Sequence, residues 1–263
     1  MRQEKDMNEI AVGTAHIPYR TMGTGRPLVF VHGGSPGSRN WEGMAAAFED
    51  TRTVVLPELS GSDAARDDGG ELTVELLAEQ VAAVITAVGQ GPADVVGHAM
   101  GSAVVNTLAA ERPELVRRLV TMAGFPAGDG NEFLRNALTV WLGSAGDADN
   151  FARLTMLLSF SRSYLNAVDR ATVEELAAFF RPEPGRLGQI GLALRLDVRD
   201  LLPRIQAPTL VIGCVDDPIV PVESPRELAA TIPGAVYAEV VSGHIPMIEK
   251  PDELIKLVRD FLD

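Results

Sequence analysis

The sequence predicts an α/β fold: a mostly parallel central sheet, helices on both faces, and a helical cap inserted over one edge. Three observations carry this. Short apolar runs at Leu28–Val31, Thr53–Leu56, Asp94–Val96, Leu119–Met122 and Thr209–Ile212 suit strands buried on both faces. Helical patterns lie between most of them, and strands alternating with helices imply parallel pairing. One interval, from about Phe125 to Ile205, breaks the rhythm with several apolar helical patterns and no convincing strand.

Taken in order, residues 1–8 read as a loose tail, with Ile10–Val12 and His16–Thr21 as short strands around a turn at Gly13. Gly33-Gly34 ends the Leu28–Val31 strand, and Asn40 is placed to cap a helix over Trp41–Phe48. Pro57 closes Thr53–Leu56, and Ser, Gly and Asp make residues 59–71 a loop. Thr73 reads as the N-cap of a helix to Val88, with Leu77, Val81, Val84, Ile85 and Val88 on one face and Gly89 as its stop. Asp94–Val96 passes through a tight turn into a helix over Ser102–Ala110, and Leu119–Met122 follows. Beyond the helical interval come strands Thr209–Ile212 and Val236–Val241, separated by a helix over Pro225–Ala230, and a last helix over Asp252–Leu262. The expected organisation is a core of residues 1–124 and 206–263, with residues 125–205 as a cap that is an insertion rather than an independent domain.

Composition narrows the function. The chain has 263 residues, 46% of them hydrophobic and 22% charged, enough for a sizeable core without staples. Lys plus Arg number 23 against 36 Asp plus Glu, a net charge of −13 that argues against nucleic acid as a partner. No run approaches the ~18 apolar residues that would span a bilayer. The polar start Met1–Asp6 has no apolar stretch behind it, so no secretory signal and no membrane partner is expected, and the expected location is cytoplasmic. The single cysteine, Cys214, excludes an internal disulfide and a cysteine-based zinc cage. Four scattered histidines form no His-x-x-x-His pair, and no phosphate-binding glycine motif follows a strand. Neither a metal nor a cofactor is expected. Oligomeric state is not legible.

The strongest chemical signal is the turn Gly97-His98-Ala99-Met100-Gly101. Glycines at its ends let strand and helix approach closely. The central residue is then held at an apex, beside a helix N-terminus whose amides can stabilise an oxyanion. Alone, the pattern is also that of an ordinary tight turn. Three further segments give it context: His32-Gly33-Gly34 after an early strand, the Gly213–Pro221 loop with its Asp216-Asp217 pair, and Ser242-Gly243-His244 after the last strand. With these motifs in this order, the chain from about residue 10 to 263 resembles the capped, single-domain α/β-hydrolases of the esterase, lactonase, C–C hydrolase and perhydrolase type.

The resemblance implies roles. Residue 99 stands at the nucleophile position, His244 is the general base, and Asp217 orients it. Asp216 competes for that last role, but the Pro218-Ile219-Val220 register favours Asp217. The N–H groups of Gly34 and Met100 form the oxyanion hole. Gly33, Ser35, His98 and Trp141 touch the substrate, an acyl ester, lactone or related small carbonyl compound with a largely apolar body. His98 packs beside the elbow rather than moving protons. His16, His32 and Glu58 are structural, and Cys214 is a small buried hydrophobe.

Alanine at the apex is the anomaly, because a methyl group cannot attack a carbonyl. Three readings fit it. An intact serine hydrolase carries an engineered serine-to-alanine change and is inactive in this form; an enzyme works with the Asp217–His244 pair alone, as a dioxygenase or lyase would; or a retired scaffold only binds a small molecule. The first is favoured, because Gly-His-Ser-Met-Gly is a common form of this turn in the family and the acid, base and oxyanion turn are all kept.

Overall fold

A computed structural model describes residues 6–34 and 37–263. Eight strands form one sheet: β1 (Asp6–Val12), β2 (Ala15–Met22), β3 (Arg26–Val31), β4 (Arg52–Pro57), β5 (Ala93–His98), β6 (Val116–Met122), β7 (Thr209–Cys214) and β8 (Val236–Val240). Their spatial order is β1-β2-β4-β3-β5-β6-β7-β8. β2 pairs antiparallel with both β1 and β4, and every other pair is parallel.

The first helices along the chain are α1 (Glu42–Ala46), α2 (Val74–Val88) and α3 (Met100–Glu111). Between β6 and β7 the chain runs through α4 (Glu132–Gly143), α5 (Ala148–Ser159), α6 (Arg162–Ala167), α7 (Arg170–Phe179) and α8 (Pro184–Arg195). Then come α9 (Glu223–Thr231), α10 (Pro246–Glu249) and α11 (Pro251–Leu262). Among the described residues, no helix is long and apolar enough to cross a membrane.

Side-chain alternation along the strands sorts the core into two layers. Val29, Val31, Val55 and Val95 pack with Leu77, Val81 and Ile85 of α2 and with Val104 and Leu108 of α3. Leu28, Phe30, Val54 and Val96 face the other way, against Trp41, Phe48 and the Leu254, Val258 and Leu262 stripe of α11. Local chemistry sets the helix ends. Thr73 Oγ1 accepts from the Leu76 N–H at 3.1 Å, and Gly89 takes the left-handed conformation at φ 70°.

Two sequence expectations need correction. The tail through residue 8 is too long, because β1 already pairs at Asp6, opposite Thr21. Backbone pairing with β2 extends that strand past the point where apolarity stops. The helix over Trp41–Phe48 capped by Asn40 is instead a 3₁₀ turn over Gly37–Trp41 followed by the short α1. The turn starts early because the Ser38 N–H and Oγ both donate to the buried Glu58 carboxylate, at 3.1 and 2.6 Å.

Since β3, β5, β7 and β8 run parallel, the segments that follow them emerge on one edge of the sheet. Parallel α/β sheets bind ligands at that carboxyl edge.

Candidate active site

The β5–α3 turn is held by close backbone contact. A Cβ on Gly97 would stand 2.5 Å from the Gly101 carbonyl oxygen, and one on Gly101 would stand 2.5 Å from that of His32. Only glycine fits such spacings. Ala99 lies between them at φ 53° and ψ −120°, a conformation that side-chain-bearing residues rarely adopt. Its N–H donates to Met122 O at 3.0 Å, its carbonyl accepts from the Ser102 N–H at 2.9 Å, and Ser102 Oγ donates to Gly97 O at 3.0 Å. Met100 opens α3, so its N–H is one of the first-turn donors with no acceptor inside the helix.

The turn after β3 rests on this elbow. A Cβ on Gly33 would lie 2.9 Å from His98 O and 3.0 Å from Ala99 Cβ. His32 is buried and neutral by its bonding: Nδ1–H donates to Gly33 O at 2.9 Å, and Nε2 accepts the Leu59 N–H at 3.0 Å. Burial pushes its pKa below 6.5, with Glu58 opposing. Glu58 braces the far side of the turn through Ser38, whose hydroxyl also accepts from Arg20 Nη2 at 2.8 Å. Ser35 lies outside the described residues.

The loops after β7 and β8 meet. His244 Nδ1–H donates to Asp217 Oδ2 at 2.8 Å, and the Asp217 side chain is 1% exposed. The other carboxylate oxygen, Oδ1, accepts the N–H groups of Ile219 and Val220, both at 2.9 Å. Asp217 is thereby held as an acceptor facing the imidazole, whereas Asp216 is exposed to solvent. His98 Nε2–H donates to the His244 carbonyl at 2.7 Å, with the two rings 4.8 Å apart. Burial, and next the neighbouring His244, push the His98 pKa down to about 3, so it stays neutral. Cys214 is buried, which pushes its thiol pKa up and leaves it a poor nucleophile.

Ala99, Met100, His244 and Gly34 line one cavity together with residues between β6 and β7, among them Leu134, Leu138, Trp141, Phe180 and Ile190. Trp141 reaches it with its indole N–H donated to Thr155 Oγ1 at 2.7 Å. His98 is on the wall as well, while Gly33 lies behind it against the elbow. Asn40, read from the sequence only as a helix cap, lines the cavity too, as do Thr155, Ser159 and Gln189. No motif marks them, because they come from separate segments that converge only on folding. Among the described residues, no three histidine, cysteine or carboxylate side chains gather as metal ligands. The arrangement can take a proton at His244, hold the resulting cation against Asp217, and offer amide donors to an oxyanion in an apolar enclosure.

Known proteins resemble the chain over nearly its whole length. The family model described as the alpha/beta hydrolase fold matches residues 26–251. The chain is 37% identical over 261 residues to a pyrrolizixenacetamide deacetylase of Xenorhabdus hominickii, covering 97% of this chain and 98% of that one. It is 31% identical to a 2-hydroxymuconate semialdehyde hydrolase of Pseudomonas putida, covering 93% and 91%. A solved enol-lactonase from Burkholderia xenovorans LB400 superposes with a TM-score of 0.87 at 23% identity, covering 97% of this chain and 99% of that one. Sheet order, elbow, convergent loops and near full-length similarity agree, and the chain belongs to the α/β-hydrolase fold family.

Proposed function

We propose that the chain is the nucleophile-less form of a serine-type hydrolase acting on a small acyl compound with a largely apolar body. One observation carries the reading. Ala99 sits at φ 53° on an elbow beside an Asp217–His244 pair bonded at 2.8 Å. Backbone strain of this kind costs about 1–3 kcal/mol and is kept where it serves a site. An alanine methyl draws no benefit from it, whereas a hydroxyl there would be aimed into the cavity. The similar deacetylase and semialdehyde hydrolase support a carbonyl substrate for this chain.

In this reading a hydroxyl at position 99 attacks the substrate carbonyl as His244 takes its proton. The Gly34 and Met100 N–H groups hold the oxyanion. His244 then protonates the leaving group, and the acyl ester on the hydroxyl is hydrolysed by water with His244 as base again. The segments between β6 and β7 wall the cavity and limit water.

Ala99→Ser tests it. The change adds one hydroxyl where a small side chain already fits. Loss of the nucleophile in a serine hydrolase costs about 10⁶ in turnover, with ~10³–10⁴ over water left from the remaining site. Activated acyl esters should therefore be turned over faster by at least two orders of magnitude. A fluorophosphonate should add one adduct by intact mass to the Ala99→Ser protein and none to the alanine form. A folded Ala99→Ser protein that takes no adduct would overturn the proposal.

A further inference from the structure

The segment that carries His244 is fastened to the cap at one corner. His244 lies between β8 and α10, and the corner is the junction of α5 and α6, residues 159–161. The Ile245 N–H donates to Ser159 O at 3.2 Å. Five residues past His244, at the end of α10, Glu249 reaches the same corner. Its Oε1 accepts the Ser161 N–H at 2.7 Å, and its Oε2 accepts from Ser161 Oγ at 2.6 Å. A Cβ on Gly243 would collide with the Ser161 nitrogen and stand 2.6 Å from Glu249 Oε1, so only glycine lets the two segments lie this close.

This link replaces one that α6 does not make for itself. Ser161 is the N-cap of α6, and its Oγ accepts the Tyr164 N–H at 3.1 Å. In a complete capping box, the residue at the Tyr164 position is a Glu or Gln that reaches back to the N–H of the N-cap. Tyr164 instead stacks on Phe160, with ring centroids 5.1 Å apart. Glu249, 88 residues beyond Ser161, supplies the missing acceptor. The same corner borders the site, because Ser159 lines the cavity together with His244 and Ile245. A shift of the corner therefore moves both the cavity wall and the segment that holds the imidazole.

We infer that Glu249 is a positioning residue: by completing the cap of α6 from the segment that carries His244, it fixes the imidazole relative to residue 99. His98 and Asp217 hold His244 from the core side, at 2.7 and 2.8 Å, and Glu249 holds its segment from the cap side. The inference rests on His244 acting as the base of the proposed hydrolase.

Two readouts test it. In the Ala99→Ser background, the rate of fluorophosphonate labelling reports how well hydroxyl and base are aligned. Glu249→Ala removes both acceptors and should slow labelling about tenfold to a hundredfold, since a misplacement of about 1 Å costs about 10² in rate. Glu249→Gln keeps an oxygen for the Ser161 N–H and should recover most of that loss. The second readout is NMR on the alanine form, which needs no nucleophile. The His244 ring C–H signals, identified by their absence from His244→Asn, are sensitive to position because the His98 ring lies 4.8 Å away. They should shift in Glu249→Ala and stay near their place in Glu249→Gln, which separates the lost bonds from the lost carboxyl group. Glu249→Met, of similar size to the native residue, takes the place of Glu249→Ala should that variant not fold. A folded Glu249→Ala protein with the parental labelling rate, or with unmoved His244 signals, overturns the inference. An Ala99→Ser protein that takes no adduct overturns the hydrolase reading instead, and the NMR comparison still decides whether Glu249 positions His244.

Discussion

His98 makes the stability of the fold depend on pH in a way that one substitution should reveal. The residue is 3% exposed and donates through Nε2 to the His244 carbonyl at 2.7 Å. Burial, reinforced by the nearby His244, lowers its pKa from 6.5 to about 3. In the unfolded chain it titrates near 6.5. Between those two values the unfolded state binds a proton that the folded state refuses. The contribution to stability is therefore complete above about pH 6.5 and is lost progressively as pH falls toward 3. The slope is about 1.4 kcal/mol per pH unit, so about 2 kcal/mol is lost on going from pH 6.5 to 5. His32, also lowered by burial, adds a loss of the same sign. His98→Gln keeps an N–H for the His244 carbonyl and removes the titration. Urea unfolding of both proteins, from about pH 7.5 down to about pH 5, reads the difference. Whatever its stability at neutral pH, His98→Gln should lose about 2 kcal/mol less over that range. Parallel pH profiles for the two proteins would refute the burial argument.

Two further outcomes follow from the site's construction. In the Ala99→Ser background, Asp217→Asn should lower ester turnover by about 10⁴, the loss seen when a triad loses its orienting carboxylate, while the exposed Asp216→Asn costs less than tenfold; steady-state kinetics that rank the two the other way would misplace the acid. Gly101→Ala places a Cβ only 2.5 Å from the His32 carbonyl oxygen, so the turn after β3 must move off the elbow. It should destabilise the fold by about 1–3 kcal/mol in urea unfolding and, with Ala99→Ser present, reduce fluorophosphonate labelling.

Much of the architecture is written locally. Buried parallel strands need side chains that tolerate apolar surroundings on both faces, so Leu28–Val31 and Thr209–Ile212 announce themselves without any partner in view. Thr73 and Gly89 mark the ends of α2 because capping is a bond between near neighbours. The glycines of the elbow and the turns after β3 and β8 are readable for the same reason, and together they locate the candidate site in the chain. Other features have no local signal. β1 begins at Asp6 because β2 supplies its hydrogen bonds, and the turn at Gly37–Trp41 begins where Glu58, twenty residues beyond Ser38, reaches back to it. The choice of Asp217 over Asp216 is, by contrast, local: the Pro218-Ile219-Val220 register favours it, and the Ile219 and Val220 amides hold the oxygen that does not face His244. Gln189 is tied to Ser60, 129 residues away, and nothing in either segment foretells the contact. Strand and cap chemistry acts over a few residues and so leaves a pattern in the chain. A cavity wall is assembled from side chains that meet only after the sheet has set the distances between them.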